Sequence, residues 1–212
     1  MVVLTTAPYY PGLGGGEFTA YTTQNFLGNY DPKATASGGF ETFCMETGVE
    51  FSPGQSYYYT LGTITQPTPG NPQQGSGLAL SSGAAYLYYQ FGKGLLSDYD
   101  YLGANRKLDD NLLQAAIWYF QGGQTYNGYP TPITSNKYYL DALAAFGGLS
   151  GAQADYTGSS VKVLQLWGKY ENGRYSDPAQ NQLVLVPDGG VTVALLGGAL
   201  IGLQVIRRKL FA

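Results

Sequence analysis

Two short segments carry side chains able to do acyl chemistry. Thr42-Phe43-Cys44-Met45-Glu46 holds the only Cys of the 212 residues, and Leu113-Gln114-Ala115-Ala116-Ile117-Trp118 sets a Gln four residues before a Trp. Cys is the one side chain here that gives a good sulfur nucleophile, and Gln supplies an acyl carbon with a releasable amine. Each segment also has a plain structural reading. A Cys between Phe43 and Met45 serves as a small buried hydrophobe, and a Gln ahead of Ala-Ala-Ile-Trp as the polar edge of an amphipathic helix. The residue types leave both readings open. The chain has no His, which removes Ser-His-Asp and Cys-His catalysis and any metal site built on imidazole. With one Cys no intramolecular disulfide forms, so in an exported chain the thiol is bridged to another molecule, free, or used in other covalent chemistry.

Positioning these groups falls to a strand and a helix. Phe40 to Phe51 (FETFCMETGVEF) reads as a strand with Phe43 and Met45 on one face and Thr42, Cys44 and Glu46 on the other. Asp109-Asp110 ahead of Leu112–Phe120 read as an acidic helix start, with Gly122-Gly123 as its stop. Ser81–Phe91 suits a buried helix with Ala84, Leu87, Tyr88 and Phe91 on one face, and Asn136–Phe146 a third helix ended by Gly147-Gly148. Residues 15–30 read as one or two strands, and Ser56–Ile64, Val161–Trp167 and Gln182–Val186 as further strands. Gln66–Ser76 (QPTPGNPQQGS) reads as an exposed loop. No repeat is evident. Strands, then helices, then strands predict an α+β domain: a β-sandwich or barrel-like sheet with an inserted helical subdomain, followed by a C-terminal hydrophobic helix.

The composition fits a loop-rich extracellular domain. Gly contributes 31 residues and Tyr 20, while 12% are charged; strands and tight turns use such residues. Residues 1–206 hold eight basic against fourteen acidic groups. An acidic body repels phosphate backbones, which argues against nucleic-acid binding.

The last residues differ from the rest. Pro187-Asp188-Gly189-Gly190 is a strand-breaking cluster. The uncharged run Gly189–Ile206 spans 18 residues and is followed by Arg207-Arg208-Lys209. That length is at the lower limit for a membrane span, and the basic end predicts that it stays cytoplasmic while the acidic body is exported. Turn, apolar run and basic cluster together resemble the PEP-CTERM class of sorting signals, especially its VPDSG-type variant, here read as Val186-Pro187-Asp188-Gly189-Gly190 with Gly189 in the usual Ser position. The resemblance implies recognition by an exosortase that cuts near the Pro-containing motif, and a localisation at the cell envelope or surface. Met1–Ala7 has no basic segment and is too short for a signal-peptide core; either the start codon is misassigned or the chain is incomplete, and both remain open.

The Cys44 and Gln114 segments together are similar to the signature of Cys–Gln thioester domains of bacterial surface proteins. The second segment matches at Gln114, Ala116, Ile117 and Trp118 and departs at Leu113, where Thr is usual. Ala85-Tyr86-Leu87-Tyr88 and Ala179-Gln180-Asn181-Gln182-Leu183-Val184 extend the likeness. It divides the chain into a thioester-type surface domain over 8–186 and a sorting tail with a short transmembrane helix over 187–212. It implies that the Cys44 sulfur attacks the Gln114 amide and expels ammonia, leaving a stored electrophile. Gln114, in or near the first helical turn after Asp110, would use free N–H groups there to hold an oxyanion. Trp118, one turn on, would shield the bond, and Glu46 would shuttle a proton. An amine of a surface protein or a nucleophile on a polysaccharide would then couple at Gln114, for covalent adhesion or matrix attachment. The chain would be a single-use anchor and not a turnover enzyme, with no cofactor and no metal.

Other chemistry has thinner support. Asp98 and Asp100, or Asp109 and Asp110, lack the spacing of a calcium loop. Tyr57-Tyr58-Tyr59 and Tyr138-Tyr139 could stack on sugars, though tyrosines at such positions mostly pack. A non-covalent structural or carbohydrate-binding surface protein with a free buried Cys44 is the alternative reading.

Overall fold

A computed structural model describes residues 1–6, 15–22, 39–66, 77–122 and 132–186. Six antiparallel strands form the sheet: β1 (Val2–Thr6), β2 (Phe18–Thr22), β3 (Phe40–Thr42), β4 (Ser56–Gly62), β5 (Val161–Glu171) and β6 (Arg174–Leu185). Their order is β3-β2-β1-β4-β5-β6. The two outer strands then meet. Beyond β3 the chain continues to Cys44, which bridges Gln182 of β6. Met45 N–H donates to the Asn181 carbonyl at 3.0 Å, and Leu183 N–H to the Phe43 carbonyl at 3.1 Å. This contact joins the two outer strands at one bridged pair, so the sheet curls into a barrel-like form with part of each edge paired. The expected α+β class is therefore met, with helices between β4 and β5.

Those helices are α1 (Ser82–Gly92), α2 (Arg106–Gly122), α3 (Lys137–Phe146) and the short α4 (Leu149–Gln153). Ser81 caps α1, its hydroxyl accepting from Ala84 N–H at 3.3 Å. Asn136 caps α3 by accepting from the Tyr138 and Tyr139 amides, and Gly147, at φ 69°, ends it in the left-handed conformation that favours Gly.

Two apolar clusters follow the alternation of the strands. Phe43 and Met45 join Leu183, Leu185, Val161 and Val163 under the helices, against Leu87, Tyr88, Phe91, Leu113 and Ile117. Cys44 and Val184 face the opposite side of the sheet with Val2, Leu4, Phe18, Ala20, Leu164 and Leu166. Trp118 reaches out of α2 into this second cluster. It therefore joins the helical layer to the barrel interior.

Four elements differ from expectation. The strand read over Phe40 to Phe51 ends at Thr42, and beyond it only Cys44 keeps a bridge to β6. Val2–Thr6, read only as an end too short for a signal, is an interior strand paired with both β2 and β4. The last two strands run on into a long hairpin, closed by Asn172 and Gly173 at φ 52° and 78°, the two positive-φ residues of the favoured hairpin turn. Helix α2 begins at Arg106, not after Asp110. The expected tail helix, with Pro187, Asp188, Gly189, Gly190, Arg207, Arg208 and Lys209, lies outside the described residues, as does the loop from 67 to 76. No helix among the described residues is long and apolar enough to cross a membrane.

Candidate functional site

The barrel seam places Cys44, and α2 brings Gln114 to it. Both are fully buried. Gln114 Oε1 accepts from the Cys44 backbone N–H at 3.0 Å, and Gln114 Nε2 donates to the Cys44 carbonyl at 2.8 Å. A second amide, Gly16 N–H, donates to the same Oε1 at 3.0 Å. The carboxamide oxygen thus sits between two backbone donors at the distance expected of an oxyanion hole. Gly16 N–H also lies close enough to the Cys44 sulfur to favour its ionised form, so one amide faces both the sulfur and the acyl oxygen.

The source of those donors corrects the expectation from sequence. Because α2 starts at Arg106, Gln114 stands more than two turns inside the helix. The N–H groups of its own helix are used in the helical ladder there. The donors come instead from the seam strand and from the loop before β2. Gly16 adopts φ 124°, a conformation open to Gly and closed to most side chains. A Cβ on Gly15 would meet Trp118 Cη2 at 2.4 Å and Gln114 Cγ at 3.1 Å. The two glycines thus let the backbone close over Gln114 and Trp118. Trp118 is 3% exposed and packs in the apolar cluster that holds Cys44.

The polar groups around the sulfur are buried as well. Gln182 Nε2 donates to Cys44 Sγ at 3.5 Å. Burial pushes the thiol far above its ordinary range, and Glu46 and Asp110 add to this, while Gln182 and Gly16 oppose it. At neutral pH Cys44 is therefore a protonated thiol. Glu46 accepts from the Asn181 backbone N–H at 3.3 Å and from Asn181 Nδ2. Burial still pushes its carboxyl up to about 8, which makes it protonated at neutral pH and poised to exchange a proton just above it. Asp110, one turn before Gln114, is raised well above the carboxylate range by burial and by the nearby Glu17. Glu17 itself is paired with Arg106, whose Nε donates to Glu17 Oε2 at 3.0 Å with both side chains buried.

The structure thus joins Cys44 and Gln114 by hydrogen bonds, sets Trp118 in the cluster that holds Cys44, and leaves Glu46 buried on Asn181 with its charge felt at the sulfur. Gly15 and Gly16 were not singled out from sequence, and Asp110 and Gln182 were given no part beside the sulfur. The Gly run at 14–16 and the three carboxamides Gln180-Asn181-Gln182 within an apolar strand were the available signals. Of the acidic pairs, Asp100 accepts from Gly103 and Asn105 N–H in its loop, and Asp109 of α2 pairs with Lys137 of α3 at 2.6 Å.

Residues 186–210 match the VPDSG-CTERM motif. This is an exosortase-type sorting signal and indicates an exported protein of the cell envelope or surface. No curated protein and no solved structure matches the chain.

Proposed function

We propose that this exported, exosortase-sorted surface protein forms an internal thioester between Cys44 and Gln114 and uses it once, for covalent attachment to an amine-bearing protein or a polysaccharide. The observation that carries the reading is the paired donation of Gly16 and Cys44 N–H to Gln114 Oε1. A tetrahedral centre at the Gln114 acyl carbon would place its negative charge on that oxygen. Each such donor is worth about 10²–10³ in rate in well-studied acyl transfers.

The step balances without a cofactor. The thiol S–H breaks, the sulfur bonds the acyl carbon of Gln114, and the C–N bond breaks; with the thiol proton the amide nitrogen leaves as ammonia. Glu46 is the proton carrier, since its carboxyl titrates at about 8 and gains or loses a proton near neutrality. Enclosure by Trp118, Gly15 and Gly16 keeps water from the ester until a target nucleophile is presented. Attack by that nucleophile returns the thiol and leaves the target acylated by Gln114.

Intact mass tests this directly. The folded protein should be lighter than its sequence by one ammonia, methylamine should restore mass by coupling at Gln114, and Cys44→Ala should abolish both effects. Freshly folded protein with its full sequence mass and a titratable thiol would end the proposal.

A further inference from the structure

A second carboxamide stands at the sulfur. Gln182 is the residue bridged to Cys44 across the barrel seam, and directly opposed residues of antiparallel segments project from the same side of the sheet. Its side chain is fully buried, with Nε2 3.5 Å from Cys44 Sγ. Its Oε1 is enclosed with no hydrogen-bond partner among the described residues. Leaving that oxygen unpartnered in the interior is unfavourable, so a side chain kept there for packing only would be better replaced by an apolar one.

The charges explain what the amide does. Four elements face the sulfur: the loop before β2 with Gly16 N–H, the segment after β3 with Glu46, α2 with Asp110, and β6 with Gln182. The two carboxyls oppose a negative sulfur. Arg106, the cation in this region, is committed to Glu17. Attack on Gln114 nevertheless requires the sulfur to gain negative character as its proton departs. Gln182 is the side chain that donates to it.

We infer that Gln182 is a positioning residue of the thioester reaction: its Nε2–H orients the Cys44 sulfur toward Gln114 and stabilises the charge that develops there. The inference rests on the thioester reading above. It divides the labour of two glutamines, one supplying the acyl group and one holding the nucleophile.

The test follows the rate of ammonia loss by intact mass after refolding the full chain, across pH, in wild type and in Gln182→Met, which keeps the length of the side chain and removes the donor. A donor to a charged group corresponds to about 10- to 100-fold in rate. Gln182→Met should slow ammonia loss by that factor and move the rise of the rate to higher pH, with a thermal midpoint no lower than that of wild type. Gln182→Glu, adding a third carboxyl, should slow it further. Wild-type rate and pH profile in Gln182→Met would overturn the role of Gln182 and leave the thioester standing. Wild-type protein that keeps its ammonia would instead sink the thioester reading, and this role with it. Should Gln182→Met fail to fold, the side-chain amide protons of Gln182, observed by NMR in ¹⁵N-Gln-labelled protein, should shift on Cys44→Ala; no shift would overturn the contact on which the inference stands.

Discussion

The Gln114 side chain pairs with the backbone of Cys44 as one strand pairs with another, accepting from its N–H at 3.0 Å and donating to its carbonyl at 2.8 Å. The contact is therefore independent of the sulfur. Relative to the chain before its thioester forms, Cys44→Ala should keep it and cost little, about 1 kcal/mol for a small buried group. Gln114→Ala strands the Cys44 and Gly16 N–H groups and the Cys44 carbonyl in a dry interior, at about 1–3 kcal/mol each. The expected order of urea midpoints is wild type, then Cys44→Ala, then Gln114→Ala well below both. Equal losses would mean that the carboxamide is not docked on the backbone in solution.

Gly15 is set against an aromatic ring, and this can be relieved by design. A Cβ there would approach Trp118 Cζ2 and Cη2 at 2.6 and 2.4 Å. Overpacking of this kind costs about 1–3 kcal/mol. Gly15→Ala should lower the thermal midpoint and slow ammonia loss, because it pushes the Gly16 donor away from Gln114. Trp118→Phe removes both clashing atoms, so the double variant should recover stability relative to Gly15→Ala. If the two substitutions simply add, the loop does not rest on the indole.

Stability should fall as pH rises toward 8. Glu46 has a folded value of about 8 against an ordinary value of 4.5, so the folded state binds the extra proton. Its favourable contribution is complete below about 4.5 and is lost as pH rises through 8. Asp110, raised by burial, acts in the same direction. Glu46→Gln keeps the Asn181 contact without a titrating group, and should flatten the dependence of unfolding free energy on pH between 5 and 8. A variant curve as steep as wild type would assign the slope to Asp110.

Much of the site was legible, and what was missed has physical reasons. The alternation at Phe43, Cys44 and Met45 assigns faces correctly because each face is buried by a different cluster. Asn136 and the glycines after Phe146 marked α3 by local capping chemistry. Two errors came from reading local polarity as an end. Arg106–Asp110 look like a polar approach to a helix, yet form its first turns because Arg106 and Asp110 are buried against Glu17. Lys169–Asp177 look like a loop, yet Asn172-Gly173 closes a hairpin whose tip is exposed on both faces. The two donors to Gln114 Oε1 could not be read at all. Gly16 and Cys44 lie 98 and 70 positions from Gln114, and only the closed barrel brings them together.

The sorting tail separates from the folded domain in its effects. The barrel seam and the Cys44–Gln114 pair are complete within residues 1–186. Replacing Pro187 and Asp188 by Ala should therefore leave the thermal midpoint unchanged and leave ammonia loss intact. The same change should block processing, so that full-length chain accumulates in the membrane fraction of the native host. Normal release of a shortened form would show that cleavage does not depend on this motif.

Arg106 holds the site together from outside it. Its guanidinium pairs with Glu17, the residue after Gly16, and its Nη1 donates to the Tyr101 carbonyl at 2.5 Å. The pair thereby pins the donor loop to the start of α2. It also offsets part of the cost of Asp110, whose carboxyl the Arg106 charge favours in ionised form. Arg106→Met would leave Glu17 as a buried charge without its cation, a change that typically costs about 3–5 kcal/mol. The loss should be pH-dependent: it grows as pH rises, because Asp110, already raised by burial, also loses the cation that favours its ionised form. Glu17→Gln with Arg106→Met should be less harmful than Arg106→Met by itself, since the orphaned charge is gone. Urea midpoints of the four chains at pH 4 and pH 7.5 supply the cycle. Equal destabilisation by Arg106→Met at both pH values would mean that packing of the Arg side chain, and not its charge, is what the loop depends on.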